Sequence, residues 1–265
     1  MNIEESVYFA YKSISQNIEF NCKYIIEEES STEINLTYKE GVGGVNGFTC
    51  LFNSLCQLLN VDSNIITGLT KIRTYDKTHL IDIKDYAWNS VFIGEQYYLI
   101  DSIRGAGSCL GTKFSKNQND IYFGMDPKDY IRLNFPNEEK WQLLSESITK
   151  DKFSSMAITS KGFFNFFTAI SPDVQTLKNG EDIKLVMTFD KPIDKIEISA
   201  IMFDLDTEDN HLPWLYELDK PIIQNGTCLI YIWAVDTGYL EVSIKINDKE
   251  FFYITYEAYY FPKIS

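Results

Sequence analysis

The stretch Gly43-Gly44-Val45-Asn46-Gly47-Phe48-Thr49-Cys50-Leu51-Phe52, running on to Leu55-Cys56, decides how the first half of this chain is read. Three glycines break regular structure, and behind them Leu51-Phe52, Leu55-Cys56 and Leu58-Leu59 recur at helical spacing. The pattern predicts a helix that starts near Val45 and sends its apolar stripe into a core.

Upstream, Tyr8, Tyr11, Ile14 and Ile18 stand three and four residues apart, so residues 7 to 20 also read as an amphipathic helix. A polar run beginning at Glu27 separates the two and reads as a solvated loop. Downstream, residues 64–72, 86–93 and 97–101 are rich in β-branched and aromatic side chains and read as strands. Helix packed on antiparallel sheet makes the expected class α+β.

Two further stretches carry a pattern. Tyr86-Ala87-Trp88-Asn89-Ser90-Val91 is followed by Gly94 and by Tyr97-Tyr98-Leu99-Ile100-Asp101, and Tyr122-Phe123-Gly124-Met125-Asp126-Pro127 leads to Phe135-Pro136-Asn137 and Trp141-Gln142-Leu143-Leu144. With the glycine-rich opening, these three ordered blocks resemble the transglutaminase-like superfamily, the last of them its kyphoscoliosis-peptidase type, over residues 7 to 145. The resemblance implies a papain-like core. It also implies where a catalytic triad would stand: the thiol position falls on Val45, the histidine position on Tyr86, and the aspartate position on Asp101.

A cysteine enzyme needs a thiolate, an imidazole that exchanges protons near neutrality, and a carboxylate to orient it. Valine offers no nucleophile, and a phenol titrating near pH 10 is no base at pH 7. Asp101 is read either as a relic of the site or as a group that hydrogen-bonds backbone amides or the Tyr86 hydroxyl. Cys50 lies five residues after Val45, about 500° around a helix and so about 140° off its azimuth, which points it into the core. Cys56 is near the Val45 azimuth but about 16 Å further along the axis. Only His79 and His211 could supply an imidazole, and the odd spacing from His79 to Tyr86 puts them on opposite faces of a continuous strand.

Trp88 and Asn89 read as locks between sheet and helix, with the indole N–H seeking an internal acceptor. Arg104 sits where the superfamily pattern carries a tryptophan; it is expected either to border the cleft and hold a carboxylate-bearing ligand, with Trp88 beside it, or to be a solvated surface arginine. Asp204, Asp206, Glu208 and Asp209 precede His211 and invite a calcium reading, but the sixth and twelfth places of a calcium loop hold Asp209 and Leu215, so a charged turn is expected and no metal. No phosphate-cradling loop or zinc-spaced set is present, and no cofactor is expected.

Composition changes after Leu144. Residues 149–160 read as a linker between a transglutaminase-like domain, 1–148, and a second domain, 161–265. The latter alternates over 182–189, 195–203, 227–235, 239–247 and 250–257, with turn signals at Lys178-Asn179-Gly180, Asn225-Gly226 and Asn247-Asp248. That pattern predicts an all-β sandwich, immunoglobulin-like in architecture.

The chain has 265 residues, 45% of them hydrophobic and 15% aromatic, enough for sizeable cores. A net charge of −14 with pI near 4.6 opposes nucleic-acid and anionic-membrane binding, and no apolar run reaches the roughly 20 residues of a bilayer crossing. Met1-Asn2-Ile3-Glu4-Glu5 lacks a secretory pattern, so a cytoplasmic location is expected, and with it reduced thiols at Cys22, Cys50, Cys56, Cys109 and Cys228. The functional expectation is a catalytically inactive transglutaminase-like protein that binds or scaffolds a protein partner, an extended segment or a cytoskeletal component. The alternative is an active cysteine peptidase or acyltransferase with Cys50 and His79 as relocated nucleophile and base.

Overall fold

The computed structural model describes residues 2–23, 34–73, 81–110, 112–160, 162–178, 183–204, 214–216, 218–232 and 237–259. Helices and mostly antiparallel sheets make up the described residues, with parallel pairing of Glu19–Phe20 on Val42–Gly43 and of Thr176–Lys178 on residues 257–259, and the chain divides into two compact units. Unit 1 holds Met1–Ile72, Ile83–Tyr130 and Asn134–Ser147; unit 2 holds Arg73–Asp82, Ile131–Leu133 and Ile148–Ser265.

Unit 1 opens with helix α1, Ile3–Asn17, started by a capping box in which the Asn2 side chain and Glu5 bond each other's backbone N–H. Its buried face is Val7, Ala10, Tyr11 and Ile14. Tyr8, expected in that stripe, is only half-buried, because its hydroxyl turns to donate to Asp120 Oδ2 at 2.8 Å. After strand β1, Glu19–Phe20, come helix α2, Ile34–Glu40, strand β2, Val42–Gly43, and helix α3, Val45–Leu58.

Helix α3 begins at Val45, where the glycines predict it, with Gly44 as an extended N-cap. Gly47 is required: a Cβ there would collide with the buried Thr37 hydroxyl of α2. Phe48, Phe52 and Cys56, four residues apart, form the buried face. The expected stripe runs out at its far end, where Leu58 is 79% exposed and Leu59 41%.

Strands β3, Ser63–Arg73, β4, Ile81–Ile93, and β5, Gln96–Ile100, answer the three predicted runs. The short helix α4, Ser102–Ala106, follows, then the hairpin of β6, Gly107–Leu110, and β7, Lys113–Lys116, and the strands β8, Phe123–Met125, and β9, Asn134–Pro136. The five-stranded sheet has the order β8-β5-β4-β3-β9.

The expectation that all five cysteines are reduced does not hold: Cys22 and Cys109 are joined in a disulfide. The chain folds the segment after β1 against the β6–β7 hairpin, and Lys116 Nζ bonds the Ile18 carbonyl. Proximity across 87 residues of sequence leaves no mark in cysteine spacing.

Unit 2 carries the alternating runs as β13, Ile183–Thr188, β14, Ile196–Asp204, β17, Thr227–Ile232, β18, Gly238–Ile246, and β19, Glu250–Tyr259. Five shorter strands join them: β10, Ile158–Thr159, β11, Ala169–Ser171, β12, Thr176–Lys178, β15, Trp214–Tyr216, and β16, Ile222–Gln224. One sheet has the order β10-β19-β18-β14-β15 with β12 beside β19, the other β11-β13-β17-β16. Leu185, Met187, Ile230 and Ile232 of the second sheet share one buried cluster with Val242, Ile244, Ile254 and Tyr256 of the first.

The turn signals at Asn225-Gly226 and Asn247-Asp248 close the β16–β17 and β18–β19 hairpins with positive φ, +49° and +71° in the first, +50° and +59° in the second. Asn179-Gly180 lies outside the described residues. The stretch read as a linker, 149–160, contains the helix Lys150–Ser155 and β10, and a further helical turn, Phe163–Phe166, precedes β11. Among the described residues no helix is long and apolar enough to cross a membrane.

Candidate functional site

Tyr86 and Trp88 stand two residues apart on β4 and share one of its faces. Asn89 faces the other way, where its amide donates to the Thr49 carbonyl of α3 at 3.1 Å and pins strand to helix, as its reading anticipated. Asp101 follows β5 and is the N-cap of α4, its Oδ1 accepting from Arg104 N at 3.0 Å.

These elements converge on the Asp101 carboxylate, which is fully buried. The Tyr86 hydroxyl donates to Oδ1 at 3.0 Å and the Tyr130 hydroxyl to Oδ2 at 3.2 Å. Arg104 Nε stands 3.5 Å from Oδ2, while Nη2 donates to Thr70 Oγ1 at 2.7 Å and to the Lys71 carbonyl at 3.3 Å. The guanidinium also lies 5.8 Å from the centre of the Tyr86 ring. Both hydrogen-bonding alternatives read for Asp101, a backbone amide and the Tyr86 phenol, are therefore made at once.

Burial raises Asp101 above the usual carboxylate range, against the opposing pull of Arg104 and the hydrogen bonds. Burial, and then the Asp101 charge, push Tyr86 and Tyr130 well above the ordinary phenol value. For Arg104 burial works against the charge, but the Tyr86 and Tyr122 phenols and Asp101 outweigh it and raise the guanidinium. At neutral pH Tyr86 is a neutral donor, and its proton is committed to Asp101.

Val45 is the first residue of α3, half-buried, and with no polar atom on its side chain it takes no part in this network. Arg104, offered as a holder of an external carboxylate, stands against the chain's own, with its side chain 23% exposed. Trp88 packs edge-on to Tyr130 at 5.5 Å and stacks with Tyr86 at 6.5 Å. Its indole N–H does not find the acceptor expected of it: among the described residues the buried Nε1 has no hydrogen-bond partner.

Tyr130 and Thr70 complete the network and were missed from sequence. Tyr130 stands 29 positions from the carboxylate it touches, and Thr70, within the run read only as a strand, stands 34 from the guanidinium it accepts from.

Of the thiols outside the disulfide, Cys56 and Cys228 are buried, and burial pushes each up to about 11. Cys50, expected to point into the core, is instead half-buried, because the α3 face that packs is the one bearing Phe48, Phe52 and Cys56. His79 and His211 lie outside the described residues, as do Asp206, Glu208 and Asp209 of the acidic cluster. Among the described residues no three His, Cys, Asp or Glu side chains gather where a metal ion could be held.

No family model matches the chain. Over 137 residues, 51% of this chain and 20% of the other, it is 29% identical to the Homo sapiens protein named kyphoscoliosis peptidase. It is 24% identical to Drosophila melanogaster hillarin over 46% of this chain and 17% of that protein. To the Caenorhabditis elegans Lim and transglutaminase domain protein ltd-1 it is 23% identical over 46% of this chain and 19% of that one. The chain thus spans about a fifth of the length of the curated relatives it matches, and its similarity is to proteins of a transglutaminase-like family.

Proposed function

We propose that this chain is a catalytically inactive transglutaminase-like protein of the kyphoscoliosis-peptidase type, a papain-like core followed by an immunoglobulin-like β-sandwich, and that it acts by binding a protein partner. The single observation that carries the reading is the bond from the Tyr86 phenol to Asp101 at 3.0 Å. In an active enzyme of this type that carboxylate would orient an imidazole. Here a phenol occupies it, with Arg104 and Tyr130 satisfying the rest of its capacity. A surface shaped to hold an extended protein segment keeps its binding energy when the reacting groups are lost, since binding and acceleration of the chemical step are separable. The relatives' names supply the associational half of the argument, and a cytoskeletal partner rests on that half alone.

The half-buried position of Cys50 keeps a second reading in play, a relocated nucleophile working with His79. Turnover separates the two. The full chain is incubated with a glutamine-rich protein and a fluorescent primary amine, and separately with an unfolded protein substrate to detect hydrolysis. The proposal expects no product above a buffer control from either the wild type or Cys50→Ser. Turnover in the wild type that Cys50→Ser abolishes would establish the enzyme.

A further inference from the structure

Six residues along β4 from Tyr86, about 20 Å at the rise of a strand, unit 1 carries a row of side chains that the Asp101 network does not use. Phe92 on β4 stands directly opposite Tyr97 on β5, and the centres of the two rings are 5.0 Å apart. Trp141 meets Tyr97 edge-to-face at 5.2 Å, so the three rings form one continuous patch. Phe92 is 40% exposed and Tyr97 36%. A lone exposed ring calls for no explanation, but rings joined in a patch and rimmed by charge are the usual make-up of a recognition surface.

The rim is acidic. Asp62, just before β3, accepts the Phe92 backbone N–H on its carbonyl at 2.9 Å and the Tyr97 hydroxyl on its carboxylate at 3.3 Å. The carboxylate is exposed, held beside the two rings, and has no ion-pair partner among the described residues. Glu95, in the turn between Phe92 and Tyr97, and Glu138 and Glu139, just before Trp141, are exposed as well. The chain's own cation shows what this arrangement attracts: Lys140 sets its ammonium 5.1 Å from the centre of the Trp141 ring while pairing with Glu138 at 2.8 Å.

We propose that this face docks a basic segment of a protein partner, with an arginine side chain lying on the Phe92 and Tyr97 rings and bonding the Asp62 carboxylate. Arginine fits better than lysine, because a planar, weakly hydrated guanidinium stacks on aromatic faces and pairs with a carboxylate through two N–H groups at once. The net charge of −14 favours the same class of partner during encounter. A partner held here is bound outside the vestigial cleft, so this surface stands or falls separately from the role proposed above.

Fluorescence anisotropy of a labelled dodecapeptide that alternates arginine and serine, titrated with the full chain in about 150 mM salt, tests the surface, with the lysine–serine peptide as its counterpart. The arginine peptide is expected to bind at least threefold more tightly than the lysine one. Asp62→Asn, which keeps the shape of an exposed side chain, and Tyr97→Ala are each expected to weaken it about tenfold. Glu250→Gln removes an equally exposed charge from unit 2 and is expected to change it less than twofold. No binding to the wild type, no preference for arginine, or a loss in Asp62→Asn no greater than that in Glu250→Gln overturns the proposal, the last result showing only diffuse attraction to an acidic chain.

Discussion

At the scale of single residues, the fate of one carboxylate separates fold from chemistry. Asp101 sits where an orienting aspartate is expected and is fully paired with Tyr86, Tyr130 and Arg104. Tyr86→Phe removes one hydrogen bond to a buried charge and leaves the ring in place. It is expected to cost about 1.5–3 kcal/mol in urea unfolding, the range for hydrogen bonds to charged groups. A change under about 0.5 kcal/mol would mean that the phenol contributes nothing to holding the carboxylate. Asp101 and Tyr86 were legible together because they lie within sequence blocks of recognisable spacing, whereas Arg104 was read as facing an external ligand or solvent and not as the partner of Asp101. Tyr130 and Thr70 were not, since a phenol or hydroxyl distant in sequence shows no partner until the strands are paired. The indole of Trp88 was read as seeking an internal acceptor, and among the described residues it has none, its ring neighbours being the aromatic side chains of Tyr86 and Tyr130.

At the scale of elements, the start of α3 was the most legible feature, because glycines followed by a helical apolar period admit few other structures. The reason for Gly47 was hidden until α2 was placed. Its missing side chain admits Thr37, and Gly47→Ala is expected to destabilise the protein by about 1–3 kcal/mol, the usual cost of forcing an extra methyl into a packed contact. The same substitution at Gly94, where a Cβ would meet nothing, serves as a control for the packing effect, although positive φ adds its own backbone strain there. The five long runs of unit 2 were readable from alternation and from the Asn-Gly and Asn-Asp turns. Strands of two or three residues such as β10 and β16 were not, because alternation needs more positions than they have.

For the molecule as a whole, the two units are not contiguous in sequence, and nothing in the sequence announced that Arg73–Asp82 and Ile131–Leu133 are grouped with unit 2. Four buried tyrosines, Tyr11, Tyr86, Tyr130 and Tyr256, are all raised above the ordinary phenol value, each first by burial. Below pH about 10 they contribute no pH dependence; above it the unfolded chain releases protons that the folded chain keeps, so stability falls as pH rises. Absorbance of tyrosinate near 295 nm is expected to show these four ionising only together with loss of the fold. The central proposal, that this chain has no working thiol–imidazole pair, is tested most directly by alkylating the native protein with iodoacetamide from about pH 6 to pH 9 and mapping each cysteine by mass spectrometry. The account predicts that no cysteine reacts faster than a small free thiol, with Cys56 and Cys228, both pushed up to about 11, left unmodified. Rapid alkylation of Cys50 near pH 6 that is lost in His79→Ala would contradict it.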